Sequence, residues 1–313
     1  MMSVYKLKSP VLFMIFNRPD VTLDVFEKIR SAQPSRLYVA ADGPRIDKNE
    51  SELCEETRNI ISQIDWDCQV KTLFRENNLG CKYAVSSAID WFFSNEEEGI
   101  ILEDDCLPSN DFFMFCDVML EKYRFDQRIR HIGGSNFQNG IKRGEESYYF
   151  SKLTHVWGWA SWKRSWIDYD VELAKYHSLD VNYCFENVFN ESHLVDIWSS
   201  IFNRLVKGEI DTWDYQWSII NFFNNGLSII PNVNLISNIG FGENATHTTD
   251  SDGVFSRIKL EQLGTIIHPT VIMADTHADH LTLSVEYVKP KIKKKSKITI
   301  FYNKLKFWKR LKT

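Results

Sequence analysis

The sequence predicts an α/β fold, a mostly parallel sheet with helices on both faces. Three observations carry that expectation. Short apolar runs alternate with longer amphipathic stretches over the first hundred residues, in the order β-α-β-α-β-α-β. The fourth run, Gly99-Ile100-Ile101-Leu102, stops abruptly in Glu103-Asp104-Asp105, with Pro108 just beyond. The other three runs also end in polar clusters, and ligands of such sheets bind at the C-terminal ends of the strands.

The first run spans 10–16 and ends in Asn17-Arg18-Pro19. Asp20 suits the cap of a following helix in which Val21, Leu23, Phe26 and Ile29 lie near one face. The second run, 36–41, ends in Asp42-Gly43-Pro44-Arg45, and the polar stretch 48–65 reads as an exposed helix. The third, 70–74, ends in Arg75-Glu76-Asn77-Asn78, and a helix over 81–93 leads into the fourth. Asn17, Arg18, Asp42, Arg75, Asn78 and the acids 103–105 are therefore expected on one sheet edge. Three carboxylates at the tip of a buried strand repel one another and are costly to desolvate. A divalent cation offsets that cost, and carboxylate oxygens suit Mn²⁺ or Mg²⁺; the rival reading is a solvated acidic turn. No G-x-G-x-x-G and no G-x-x-x-x-G-K-[ST] is present, so the dinucleotide and P-loop fingerprints are missing.

Beyond the acids, Asn110 is a plausible cap for a helix over 111–123, 130–136 suggests a fifth strand, and 148–150 an edge strand. Trp157-Gly158-Trp159 fits either a ring-packed core turn or a sugar contact. Residues 165–210 read as helix-rich. The segment Asp211-Thr212-Trp213-Asp214 opens an amphipathic helix that runs to Phe223 and ends at Asn224-Asn225-Gly226, with a short strand over 227–230. A loop with Gly240 and Gly242 contains His247, which suits a phosphate or metal contact or an ordinary satisfied histidine. The stretch 264–280 carries no readable role.

Length allows one large domain or two small ones. No apolar run approaches the roughly 18 residues of a membrane span. The run 11–16 is shorter than a signal-peptide core and lacks a cleavage site after it, which places the chain in a cytoplasm. Six cysteines with no C-x-x-C spacing point to reduced thiols rather than a zinc site. The net charge of −5 hides an asymmetry: residues 289–313 hold eleven of the 37 Lys and Arg and no acid, which leaves 26 basic against 42 acidic residues, a formal −16, in 1–288. An acidic body argues against nucleic-acid binding, and a basic tail interleaved with Ile, Phe, Tyr and Trp suits an anionic membrane surface better than RNA; a solvated tail is the bland rival.

From Pro10 to Thr248 these residues resemble glycosyltransferases of the GT-A fold, and more closely the bacterial relatives of animal N-acetylglucosaminyltransferase I, including haemolysin-like sugar transferases. The most specific match is Glu103-Asp104-Asp105 followed by Asn110-Asp111-Phe112-Phe113. The resemblance implies a DXD-type motif in which Asp105 binds Mn²⁺ while Glu103 and Asp104 contact sugar and ribose. It implies that Arg18 serves the nucleotide, that Asp42 reads the uracil, and that Gly158-Trp159 forms the family's Gly-Trp turn. It makes Asp214 of Trp213-Asp214 the catalytic base, although an N-terminal helix cap suits that aspartate too. Thr246-His247-Thr248 matches the end of the bacterial members' Gly-rich loop. Two positions depart from the pattern: Asn17 replaces an acid ahead of Arg18, and Tyr215 replaces a second acid after the base.

The expectation is a catalytic domain of GT-A (Rossmann-like) type over 1–288 and a basic amphipathic tail over 289–313. The implied activity is metal-dependent, inverting transfer of a sugar from a nucleotide-diphosphate sugar, a UDP-sugar by the resemblance. The acceptor would be a hydroxyl of a bacterial glycan or lipid-linked molecule in polysaccharide assembly at the inner membrane. The rivals are a sugar-nucleotide nucleotidyltransferase, which usually needs a basic Gly-rich loop where Asn17-Arg18-Pro19-Asp20 stands, and a non-catalytic membrane-associated binding protein.

Overall fold

Residues 5–240 and 258–287 are described by the structure, a computed structural model. The N-terminal half alternates as expected: β1 (Val11–Ile15), α1 (Pro19–Ala32), β2 (Arg36–Ala41), α2 (Ser51–Asn59), β3 (Gln69–Phe74), α3 (Gly80–Asn95) and β4 (Glu98–Glu103). Next come β5 (Cys106–Pro108), α4 (Asn110–Lys122), β6 (Ile129–Gly133), β7 (Tyr148–Ser151), β8 (Trp159–Trp162) and α5 (Lys163–Trp166). The C-terminal part adds α6 (Val181–Glu186), α7 (Ser192–Val206), α8 (Asp214–Phe223), β9 (Leu227–Pro231), β10 (Ile236–Asn238) and α9 (Thr276–Glu286).

Eight strands form one sheet in the order β3-β2-β1-β4-β8-β6-β9-β7. The pairs β3/β2, β2/β1, β1/β4 and β6/β9 are parallel, whereas β8 and β7 run against their neighbours. The residue-by-residue alternation of a strand decides which helices cover which face. Val11, Phe13 and Ile15 pack with Val25, Phe26 and Ile29 of α1 and with the phenylalanines of α4. Leu12 and Met14 point the other way, toward Ile89, Phe92 and Phe93 of α3 and Trp217 of α8. Both faces of the parallel half are covered, so its central strands read as continuous apolar runs. A separate cluster joins α6, α7, α8 and Leu283 of α9, which gives that helix a packing role. Among the described residues no helix is long and apolar enough to cross a membrane.

The β1 run ends at Ile15, before Asn17 and Arg18, so both lie just past the strand, where a side chain can turn over the sheet edge. The small sheet β10-β5 does the second positioning job. Asn238 pairs with Cys106, one residue past the acids, and Ile239 N–H donates to the Asp105 carbonyl at 2.8 Å. The chain from β9 is thereby laid against the acidic tip of β4.

Candidate active site

A cavity of about 410 Å³ opens at the C-terminal ends of β1, β2, β3 and β4. Its walls include Arg18, Asp42, Arg75, Asn78, Glu103, Asp104, Asp105 and Asp214, eight of the eleven residues expected at a site from sequence. Asn17 stands behind the wall and donates its amide to Glu50 at 2.9 Å. Glu50 also takes a two-pronged contact from Arg45, at 2.9 and 2.7 Å, so Asn17 braces a wall residue without lining the cavity itself. His247 lies outside the described residues.

Trp159 departs from the expected sugar contact. It is completely buried and stacks between His131 and Trp213, at 5.1 and 5.7 Å between ring centres. Trp157 takes the place on the cavity wall. The turn between them accounts for it: Gly158 adopts φ +59°, and a Cβ there would stand 2.4 Å from Ile236 Cδ1. With the backbone turned in the left-handed region, one tryptophan goes into the core and the other to the cavity.

The three acids have unequal surroundings. Arg18 bridges Asp104 and Asp105 through one nitrogen, with Asp105 at 3.0 Å. Asp104 is buried, and its Oδ2 has no hydrogen-bond partner. Glu103 lines the cavity; burial, then Asp105, Asp104 and Asp214, raise its carboxyl to about 8. Burial likewise raises Asp104, with Arg18 opposing. Gly240 closes over this cluster: a Cβ there would lie 2.2 Å from Asp105 Oδ2.

Asp42 ties two strand ends together. It accepts from Gly43 N–H at 2.9 Å, from Leu79 N–H at 3.0 Å and from the Asn78 amide at 2.9 Å. Burial raises its carboxyl, and these donors hold it down in part. Arg75 donates to Ser87 at 2.8 Å, and burial lowers its guanidinium.

Opposite the acids of β4, the segment 211–214 forms a second acidic wall. Asp214 is the first residue of α8, and the capping position belongs to Trp213, whose side chain makes no capping bond. The Thr212 hydroxyl donates to Asp214 Oδ1. Among the described residues no donor meets Asp214 Oδ2, which leaves that oxygen to the cavity. Asp211 is differently engaged, accepting from Lys82 N–H at 3.1 Å, and so caps the start of α3. Trp213 and Trp217 are buried beside these acids, in the core shared with Trp159 and Trp166.

Sequence reading left Arg45, Asp211 and Asn238 out of the expected site residues, and of the Trp157-Gly158-Trp159 stretch it singled out the other tryptophan. Arg45 stands three places after Asp42 in the same strand-end cluster, and Asp211 three before Asp214, so a local signal existed for both. None existed for Asn238, which reaches the site through the pairing of β10 with β5.

Among the described residues the walls carry six carboxylates (Asp42, Glu103, Asp104, Asp105, Asp211, Asp214) against three guanidiniums (Arg18, Arg45, Arg75), a formal −3. Two of those guanidiniums are engaged by acids, Arg45 by Glu50 and Arg18 by Asp104 and Asp105. A formal excess of negative charge disfavours an anionic ligand unless positive charge accompanies it. Among the described residues no three His, Cys, Asp or Glu side chains are arranged to hold a metal ion.

No family model matches the chain, and no curated protein matches it. Among solved structures it is similar to a mannosyltransferase of Pyrobaculum calidifontis in complex with GDP-Man and Mn²⁺, at 13% identity and a TM-score of 0.35, over 73% of this chain and 58% of that one. It is also similar to an apo UDP-glucose pyrophosphorylase, at 11% identity and a TM-score of 0.39, over 74% and 93% of the two chains. A third is 4-diphosphocytidyl-2C-methyl-D-erythritol synthase of Anaerococcus prevotii, at 10% identity and a TM-score of 0.31, over 55% and 78%. The chain spans little more than half the length of the mannosyltransferase. All these scores lie below 0.5, and the chemistry of the site rests on its own residues.

Proposed function

We propose that the protein is an inverting glycosyltransferase that moves a sugar from a UDP-sugar to a hydroxyl of a bacterial glycan or lipid-linked acceptor, with Mn²⁺ or Mg²⁺. One observation carries this reading: a carboxylate with an uncommitted oxygen, Asp214, shares a cavity with an acidic strand tip that is short of positive charge. The residues suit a cation that fills most of its coordination from the donor. Such ions are commonly held by one or two carboxylates plus substrate phosphates rather than by a closed protein cage. Asp105 would hold it, and the neighbouring Asp104 carries a buried oxygen, Oδ2, that has no hydrogen-bond partner. Bound there, the cation would neutralise charge on the departing diphosphate.

The remaining steps belong to the chain. Arg18 and Arg75 meet the anionic donor, and Asp42 with Asn78 shape the end of the cavity for the base. Asp214 Oδ2 takes the proton of the acceptor hydroxyl as its oxygen bonds to the anomeric carbon and the sugar–phosphate bond breaks. Thr212 holds the other oxygen of that carboxylate and so fixes its direction. Direct attack from the side opposite the leaving group inverts the anomeric centre. Nucleotidyl transfer is less well supported, because the segment 17–20 after β1 supplies one arginine and no glycine.

Residues 1–288 would form the catalytic domain. The basic segment 289–313 lies outside the described residues, and we assign it to an anionic membrane surface, where each Lys or Arg contributes about 1 kcal/mol. Co-sedimentation with anionic vesicles should be lost in a chain ending at Val288; equal binding by both chains removes the assignment. The central test is UDP-sugar turnover with and without EDTA, alongside Asp105→Ala. We expect losses on the order of a thousandfold in both cases with the fold intact. Full activity in EDTA would end the metal reading.

A further inference from the structure

We infer that Arg18 is the resident counter-cation of the acidic tip, and that it makes binding of a divalent cation conditional on a nucleoside diphosphate. The inference rests on the reading of the cavity as a nucleotide-sugar site.

The placement of the three wall arginines carries it. Arg45 is held by Glu50 through two nitrogens, and Arg75 donates to Ser87. Neither touches the acids at 103–105. Arg18 does, bridging Asp104 and Asp105 from a position just past β1. Its side chain is 20% exposed, while those of Asp104 and Asp105 are 5% and 17% exposed. Among the described residues it is therefore the wall cation with both a path to the cavity and a grip on the carboxylates. The Asp105 oxygen that accepts from Arg18 is also the one beneath Gly240, so little room is left around it.

A divalent cation at Asp105 must displace Arg18 or share the carboxylate with it, and like charges in one small cavity repel. Alone, the cation therefore binds against the resident guanidinium. A diphosphate changes the balance, because the guanidinium fork matches phosphate oxygens as well as carboxylate oxygens. Once Arg18 turns to the diphosphate, Asp105 is released and the cation meets both carboxylate and phosphate. The two ligands then assist each other, and by linkage the assistance is reciprocal.

The test uses Mn²⁺ and UDP with the full chain, and Mn²⁺ binding is followed by electron paramagnetic resonance. In the wild type, saturating UDP should tighten Mn²⁺ within the roughly 5–150-fold range of such couplings. In Arg18→Met, Mn²⁺ alone should bind about tenfold tighter than in the wild type, and the UDP effect should shrink by a similar factor. Arg45→Met removes the same charge from the same cavity without touching Asp104 or Asp105, and should leave Mn²⁺ binding near wild type. Arg18→Lys keeps the charge without the fork and should fall between the wild type and Arg18→Met. It also serves as the probe if the methionine variant does not fold. Equal tightening in Arg18→Met and Arg45→Met would reduce the effect to general charge and overturn the inference. So would a UDP effect unchanged by either Arg18 substitution. Absence of Mn²⁺ binding by the wild type, with UDP or without it, would overturn the metal reading as well.

Discussion

The two acidic walls of the cavity are built on opposite plans. The wall at the ends of β1, β2, β3 and β4 is closed on itself. Asp42 is met by two backbone N–H groups and an amide, Arg45 by Glu50, Arg75 by Ser87, and Arg18 by Asp104 and Asp105. The wall at 211–214 is sparsely tied: Asp211 takes one backbone N–H and Asp214 one hydroxyl. Buried polar groups are mostly satisfied, so a wall sunk into the sheet edge arrives largely bonded, with Asp104 Oδ2 the exception. A carboxylate meant to accept a proton needs an oxygen left open to the cavity, and a loose attachment at a helix start provides that. The first wall suits holding a charged donor, and the second suits acting on an incoming hydroxyl.

Asp214→Asn strikes that contrast hardest. It keeps the shape and the Thr212 contact and removes the base, so kcat should fall on the order of a hundredfold or more, with UDP affinity little changed. Turnover near the wild-type rate would transfer the role to Asp211 and remove the support for inversion. Asp211→Ala should behave as the loss of a cap from α3. Urea unfolding should show a loss of about 1 kcal/mol, with a smaller fall in kcat than Asp214→Asn causes. A larger kinetic effect at Asp211 than at Asp214 would reverse the assignments.

A third test concerns the pH dependence of the sheet-edge wall without metal. Glu103 titrates near 4.5 when unperturbed and near 8 in the folded chain. An acid raised by folding supports the fold while protonated, so its contribution is complete below 4.5 and is lost as pH rises to about 8. Glu103→Gln cannot lose a proton. The melting temperature of the wild type relative to this variant should therefore fall steadily across that window. A constant difference would show that Glu103 is not held protonated.

Local chemistry makes the sheet-edge wall legible in the residue order. A strand buried on both faces needs apolar residues throughout, so in β1, β2 and β4 each place where an apolar run gives way to Arg18, Asp42 or Glu103 marks a strand end, while the exposed edge strand β3 shows its end at Arg75 less sharply. Parallel strands joined by helices put those ends on one edge. The alternation, the edge and most of the wall therefore follow from the order of residues alone. The shift from polar residues to an amphipathic period also places Asp214 at a helix start. Tertiary packing settles the rest, because those outcomes depend on contacts between segments remote in sequence. Whether Trp157 or Trp159 faces the cavity follows from the approach of Ile236 to Gly158, nearly eighty residues away along the chain. Asn238 and Gly240 reach the acids through the β10–β5 pairing, and Arg18 closes on Asp104 and Asp105 across the parallel pairing of β1 with β4. No periodicity within either segment reports such a meeting, since what fixes it is the packing of one against the other.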